Sequence, residues 1–303
     1  MNDIFVKLPY DLVLIESIED IRSRPAFRDD IDSKQHKIAN LIGDYTFKEQ
    51  VLCGLKDCHT AHNKGFLAVT EDGLETIIGH VCGKKWGGSD FVYQKRQFNQ
   101  RREFKQHSQL LNTVTANKDS INSRIKEISE RKYGAKWLQA SLRNFREICA
   151  SDVLTDLSKR ATRNDLNVIE HRERTSAEID RVHEMFPNTP RDNHRFEEIT
   201  IGLLNGLDIF KKDIHALLIM QVSNVLQQLS QKDIQSMKVS DRRKFVDWAN
   251  EIESKFIEAE ELLASGLRFF SDNNVKLLHH LSKDKNNSMK KLKWNLDAGT
   301  GKN

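Results

Sequence analysis

Gly65-Phe66-Leu67-Ala68-Val69-Thr70-Glu71-Asp72-Gly73-Leu74-Glu75-Thr76-Ile77-Ile78-Gly79 reads as two short strands joined by a turn at Glu71-Asp72-Gly73. Paired soft ligands lie on either side. Cys53 and Cys58 form C-x4-C ahead of the hairpin, and His80 and Cys82 form H-x-C behind it. A hairpin that brings two such pairs together is how small tetrahedral sites are built from thiolate and imidazole. The spacing predicts a structural zinc ion on Cys53, Cys58, His80 and Cys82. His62, four residues beyond Cys58, is the alternative fourth ligand, and His59 beside Cys58 is a poorer one. Four strong ligands leave no open coordination position, which speaks for a structural rather than a catalytic ion.

Over residues 51–88 this layout resembles treble-clef and zinc-ribbon modules in general form, without pointing to one family. Treble clefs include histidine-based nucleases, which draws attention to His59, His62 and Asn63. The rest of that pattern, a base histidine on the hairpin with a second-strand partner, has no match here.

Basic and aromatic residues follow directly. Lys84, Lys85, Lys95, Arg96, Arg101, Arg102 and Lys105 are opposed by only Asp90 and Glu103, and Trp86, Phe91, Tyr93, Phe98 and Phe104 are interleaved. Phosphate backbones and unstacked bases select for such a mixture. Lys84, Lys85, Arg96, Arg101, Arg102 and Lys105 are expected to neutralise phosphates, with Trp86 or Tyr93 stacking on a base. The plainer reading has the rings anchoring a helix and the cations solvated. A second basic patch, Lys276 to Lys302, ends the chain, and Trp294 and Leu296 within it would dock on a partner or on the body. Asp247 to Glu261 is acidic, so charge is segregated along the chain.

The 303 residues carry a net charge of +4, 30% charged residues, fourteen glycines and four prolines. Scarce helix breakers and a mean hydropathy of −0.61 point to a mainly α chain with long, solvated helices. The expected architecture is a long helical bundle or partial coiled coil with a small zinc-bound β-hairpin module near the N-terminus. Its parts are an N-terminal α/β segment at 1–50, the zinc module at 51–88, a long helical region at 89–186, a linker at 187–193, a helical core at 194–282 and a basic tail at 283–303. Ile38, Leu41 and Ile42 suggest helix up to Gly43. An interrupted heptad runs from Phe104 through Leu111, Lys118, Ile125 and Lys132, with His107, Val114, Ile121 and Ile128 at the companion positions, which packing within one chain explains equally well. Helices are expected from Trp137 to Leu157 and from about Asn164 to Met185. Phe196, Ile199, Leu203, Leu207, Phe210, Ile214, Leu217 and Leu218 then suggest the most apolar helix, at the centre of the core.

No apolar run approaches the ~20 residues of a bilayer span. Met1-Asn2-Asp3-Ile4 lacks a basic leader, so a cytoplasmic protein with reduced thiols is expected, and no membrane partner. Cys149 lies on the apolar side of a helix and reads as a buried hydrophobe. No phosphate-binding loop, dinucleotide fingerprint, H-E-x-x-H or G-x-S-x-G occurs, and no catalytic residue is assigned. The leading expectation is a non-enzymatic, zinc-stabilised protein that contacts nucleic acid. The alternative is a helical adaptor or inhibitor that binds protein or a second copy of itself, with zinc purely structural.

Overall fold

Alternation in Phe66-Leu67-Ala68-Val69 sends Phe66 and Ala68 to one side of a sheet and Leu67 and Val69 to the other, and all four are buried. The computed structural model describes residues 11–282 and 292–302. It divides into two compact units, Met1–Leu110 and Leu111–Asn303. Helices predominate, accompanied by small antiparallel sheets.

The first unit is built on a three-stranded antiparallel meander, β1 (Ile38–Leu52), β2 (Ala61–Thr70) and β3 (Glu75–Gly79). Strands covered on both faces read as unbroken apolar runs, which accounts for residues 66–69 and 76–79. Ile38, Leu41, Phe66, Ala68 and Ile78 share one face with Phe91 and Phe98 of α2 (His80–Ala116). Ile42, Tyr45, Leu67, Val69 and Ile77 share the other with Ile21 of α1 (Ile18–Arg22) and with Val13, Ile15 and Phe27. Ser17 caps α1 through a reciprocal pair with Asp20. Leu8 to Ile18 holds an apolar run that in sequence suits either a strand or a buried helical turn, and its first three residues lie outside the described residues.

β1 corrects the helix expected up to Gly43. Its register shifts between Ile38 and Asn40 and again between Leu41 and Gly43. These bulges break the period of two, so Ile38, Leu41 and Ile42 imitate a helical stripe while serving opposite faces of a strand.

α2 bends at Gly88, whose φ of 48° and ψ of −123° are accessible to glycine and costly for other residues. The short first arm packs so tightly on the second that a Cβ at Gly83 would meet the Phe91 ring at 2.4 Å.

The second unit holds α3 (Lys118–Glu130), α4 (Ala135–Ile148), α5 (Ser151–Arg163), α6 (Ser176–Met185), α7 (Asn224–Ser230), α8 (Val239–Phe269) and α9 (Asp272–Leu277). Ile125 and Ile128 of the interrupted heptad pack into one core with Leu138, Phe145, Leu157, Leu218, Phe256 and Leu263. The apolar seven-residue spacing therefore serves packing within the unit, and no extended coiled coil is seen among the described residues. Two expected helices are partly strands. Asn164–Met185 contains β4 (Asn167–Glu173) before α6, and the Phe196–Leu218 run begins with β5 (Phe196–Leu203), antiparallel to β4. Phe196, Ile199 and Leu203 are exposed, so their helical spacing reflected no buried face. The wide-turned helix Ala216–Ser223, continuous with α7, does occupy the core through Leu217, Leu218 and Val222.

Residues 292–302 are not a loose tail. They form the hairpin β6 (Lys293–Asn295) and β7 (Thr300–Lys302), and Trp294 stacks on Phe270 with ring centroids 4.5 Å apart. Trp294 and Leu296 thus dock on the body. Lys283, Lys285, Lys290 and Lys291 lie outside the described residues.

Candidate metal centre and basic surface

The chain leaves β1 at Cys53 and re-enters the sheet at Ala61. Within this connection the Cys58 N–H donates to the Leu55 carbonyl and the Cys53 N–H to the Thr60 carbonyl, folding a tight knuckle. Gly54 lies so close to β3 that a Cβ there would meet the Thr76 hydroxyl at 2.1 Å, and that hydroxyl donates to the Gly54 carbonyl. Cys82 enters from the first turn of α2. The sulfurs of Cys53, Cys58 and Cys82 all lie within 4.8 Å of one another, close enough to hold one metal ion.

His80 is not brought to this group. Residues 80–82 are helical, and positions i and i+2 on a helix point ~200° apart, so this spacing does not bring both side chains to one point. The His80 ring instead meets Phe66 edge-on at 4.8 Å, and its Nδ1 accepts from Lys95 Nζ at 3.3 Å. Burial, then the Lys95 charge, then His62 hold His80 below the usual histidine value. His62 is also committed. Its Nδ1–H donates to the Thr60 carbonyl at 3.0 Å, which leaves Nε2 to accept the Tyr45 hydroxyl at 2.7 Å. The exposed His59, with φ of 43°, stands outside the sulfur group as well.

The three thiols differ electrostatically. Burial pushes Cys53 up to about 12 against a hydrogen bond from the Leu55 backbone, and charge on Cys82 and Cys58 adds to the rise. Burial also raises Cys82. At Cys58 burial is outweighed by hydrogen bonds from the Thr60 hydroxyl and backbone and from the neighbouring thiols, so it falls to about 7. Three thiolates in one half-buried cluster repel one another, and a divalent cation reverses that cost.

The basic segment separates into structural and outward-facing parts. The Trp86 indole donates to the Ser33 and His36 carbonyls, and Arg101 donates to Asn40 Oδ1 and the Leu41 carbonyl. Arg102 pairs with Asp44, and Lys105 reaches the Leu12 carbonyl. Lys84, Lys85, Tyr93 and Arg96 face solvent. The acidic flank of α8 is partly neutralised within the unit, since Glu253, Glu258 and Glu260 pair with Arg124, Lys212 and Arg131. Lys64, Lys95 and Asn99 join Arg102 and Asp44 around one cleft. The sequence signal for it was the i, i+4, i+7 spacing of Lys95, Asn99 and Arg102 on α2. Among the described residues no helix is long and apolar enough to cross a membrane. Comparison with protein-family models, curated proteins and solved structures finds no match to this chain.

Proposed function

We propose that one zinc ion on Cys53, Cys58 and Cys82 staples the β1–β2 connection to the first turn of α2, and that the stapled module contacts nucleic acid. The single observation carrying the metal assignment is the convergence of the three sulfurs. Thiolates ~2.3 Å from a tetrahedral zinc stand about 3.8 Å from each other, and small side-chain rotations reach that arrangement from the present spacing. Thiolate softness favours zinc over calcium or magnesium. With three cysteines, the fourth vertex falls to water or another donor. We further propose a reducing cytoplasmic setting, which would keep the three thiols free to ligate; with one vertex open, the ligand count no longer speaks against a catalytic ion.

Support for the nucleic-acid part comes from the outward-facing Lys84, Lys85 and Arg96 and from the exposed Tyr93 on α2. Purified protein should contain one equivalent of zinc and should retard single- or double-stranded DNA or RNA in a gel. That affinity should fall steeply with salt, and each cation removed should lessen the slope by about one. Retardation that does not change from low to moderate salt, or no retardation at all, rejects the nucleic-acid reading and leaves the metal assignment to elemental analysis.

A second reading, a protein-interaction adaptor, is favoured by the arm formed by β4, α6 and β5. Met185, Phe186, Phe196 and Leu203 there are each more than half exposed. A nuclease-resistant protein co-purifying with the parent and lost on Phe186→Ser would favour it.

A further inference from the structure

We infer that the cleft between α2 and the end of the β1–β2 ladder binds a phosphate group. This deepens the nucleic-acid reading, on which it rests only for the source of the phosphate. Lys95, Asn99 and Arg102 fall on one stripe of α2. Opposite them, Asp44 is registered with Phe66, and Lys64, two residues before Phe66, shares its face of the sheet. Together they line a cavity of about 260 Å³, room for a phosphate and part of an attached sugar.

The charge in this cleft is unbalanced. Asp44 is the only carboxylate lining it among the described residues, and Asp44 already pairs with Arg102. Among the described residues neither Lys64 nor Lys95 has a carboxylate partner, and the Lys95 ammonium is held over the Phe66 ring, 5.8 Å from its centroid. Two ammonium groups, the free edge of a guanidinium and a carboxamide N–H suit a tetrahedral oxyanion with several acceptors. A monocarboxylate would use fewer of these donors.

The test is calorimetric titration of the zinc-loaded full chain with pyrophosphate, alongside gel retardation of single-stranded oligonucleotides with and without a 5′-phosphate. Pyrophosphate should bind. Lys64→Ala and Lys95→Ala should each weaken it by roughly tenfold or more, the loss expected for a charge-assisted hydrogen bond. Asn99→Asp should abolish binding and Asp44→Asn should tighten it, with unchanged melting temperatures showing that the variants are folded. Absence of heat with pyrophosphate, or equal affinity in the parent and the Lys64→Ala/Lys95→Ala double variant, overturns the inference. If pyrophosphate does not bind while oligonucleotides are retarded regardless of these substitutions, the cleft assignment fails and the polymer reading survives. If pyrophosphate binds as described and no oligonucleotide does, the cleft stands with a free phosphate compound as its ligand, and the polymer reading fails.

Discussion

The sulfurs of Cys58 and Cys82 approach to 3.1 Å, although the whole β2–β3 hairpin separates them in the chain. The knuckle after β1 and the kinked start of α2 are therefore aligned by the sheet, and a metal ion would lock an arrangement the backbone already favours.

Metal removal tests that lock. Cys58→Ser and Cys82→Ser should each lose zinc, whereas His80→Ala and His62→Ala should retain it, measured by elemental analysis after gel filtration. A strong chelator should lower the melting temperature of the first unit, because the free energy of metal binding is also free energy of folding. Loss of zinc in His80→Ala would show that the ring turns inward to complete the site.

Thiol chemistry should follow the separation of the cysteines. In the chelated protein Cys58 should alkylate first, its rate rising as pH passes about 7. Burial, with Asp152 nearby, pushes Cys149 up to about 12, so it should stay unmodified until the chain unfolds. Between the ordinary value of 9 and about 12 the unfolded chain has lost this proton and the folded chain keeps it. Stability contributed by Cys149 is whole below pH 9 and declines as pH rises through that window. Denaturant melts from pH 8 to 11, comparing the parent with Cys149→Ala, read this out.

Gly88→Ala should destabilise the chain by about 1–3 kcal/mol through backbone strain alone, since nothing lies within 4 Å of the added methyl group. Urea melts give the difference, and a cost below about half a kcal/mol would mean the bend relaxes easily.

Arg24 holds Glu75 of β3 with two parallel bonds, 2.5 and 2.8 Å long, tying the N-terminal segment to the sheet. The Glu75 side chain is only 10% exposed. Arg24→Ala should therefore cost on the order of 2–3 kcal/mol by leaving a buried carboxylate unpaired. Adding Glu75→Gln to that variant should recover part of the loss in urea melts.

Trp294→Ala should remove a ring wedged against Phe270 and Phe145, at a cost of about 3–5 kcal/mol to the second unit. Near-ultraviolet circular dichroism with thermal melting checks it, and an unchanged melt would mean the terminal hairpin is not part of that core.

Local chemistry alone made several features legible. Gly65 to Gly79 reads as two short strands, Glu71-Asp72-Gly73 supplies their turn, and three cysteines near that hairpin marked a metal-ligating cluster; burial of the sheet on both faces came from the packing. Scarce prolines foretold helices, and Ile125 and Ile128 marked a buried stripe. Tertiary structure decided what periodicity leaves degenerate. Bulges in β1 gave Ile38, Leu41 and Ile42 a helical rhythm on a strand, and Phe196, Ile199 and Leu203 kept that rhythm while facing solvent. His80 and Cys82 are neighbours in the chain yet part on the helix that carries them, because a turn of 100° per residue turns them away from each other. Likewise Lys64 and Lys95 meet around one cleft only because a helix packs across a strand, a juxtaposition set by burial of Phe66, Phe91 and Phe98 rather than by any spacing along the chain.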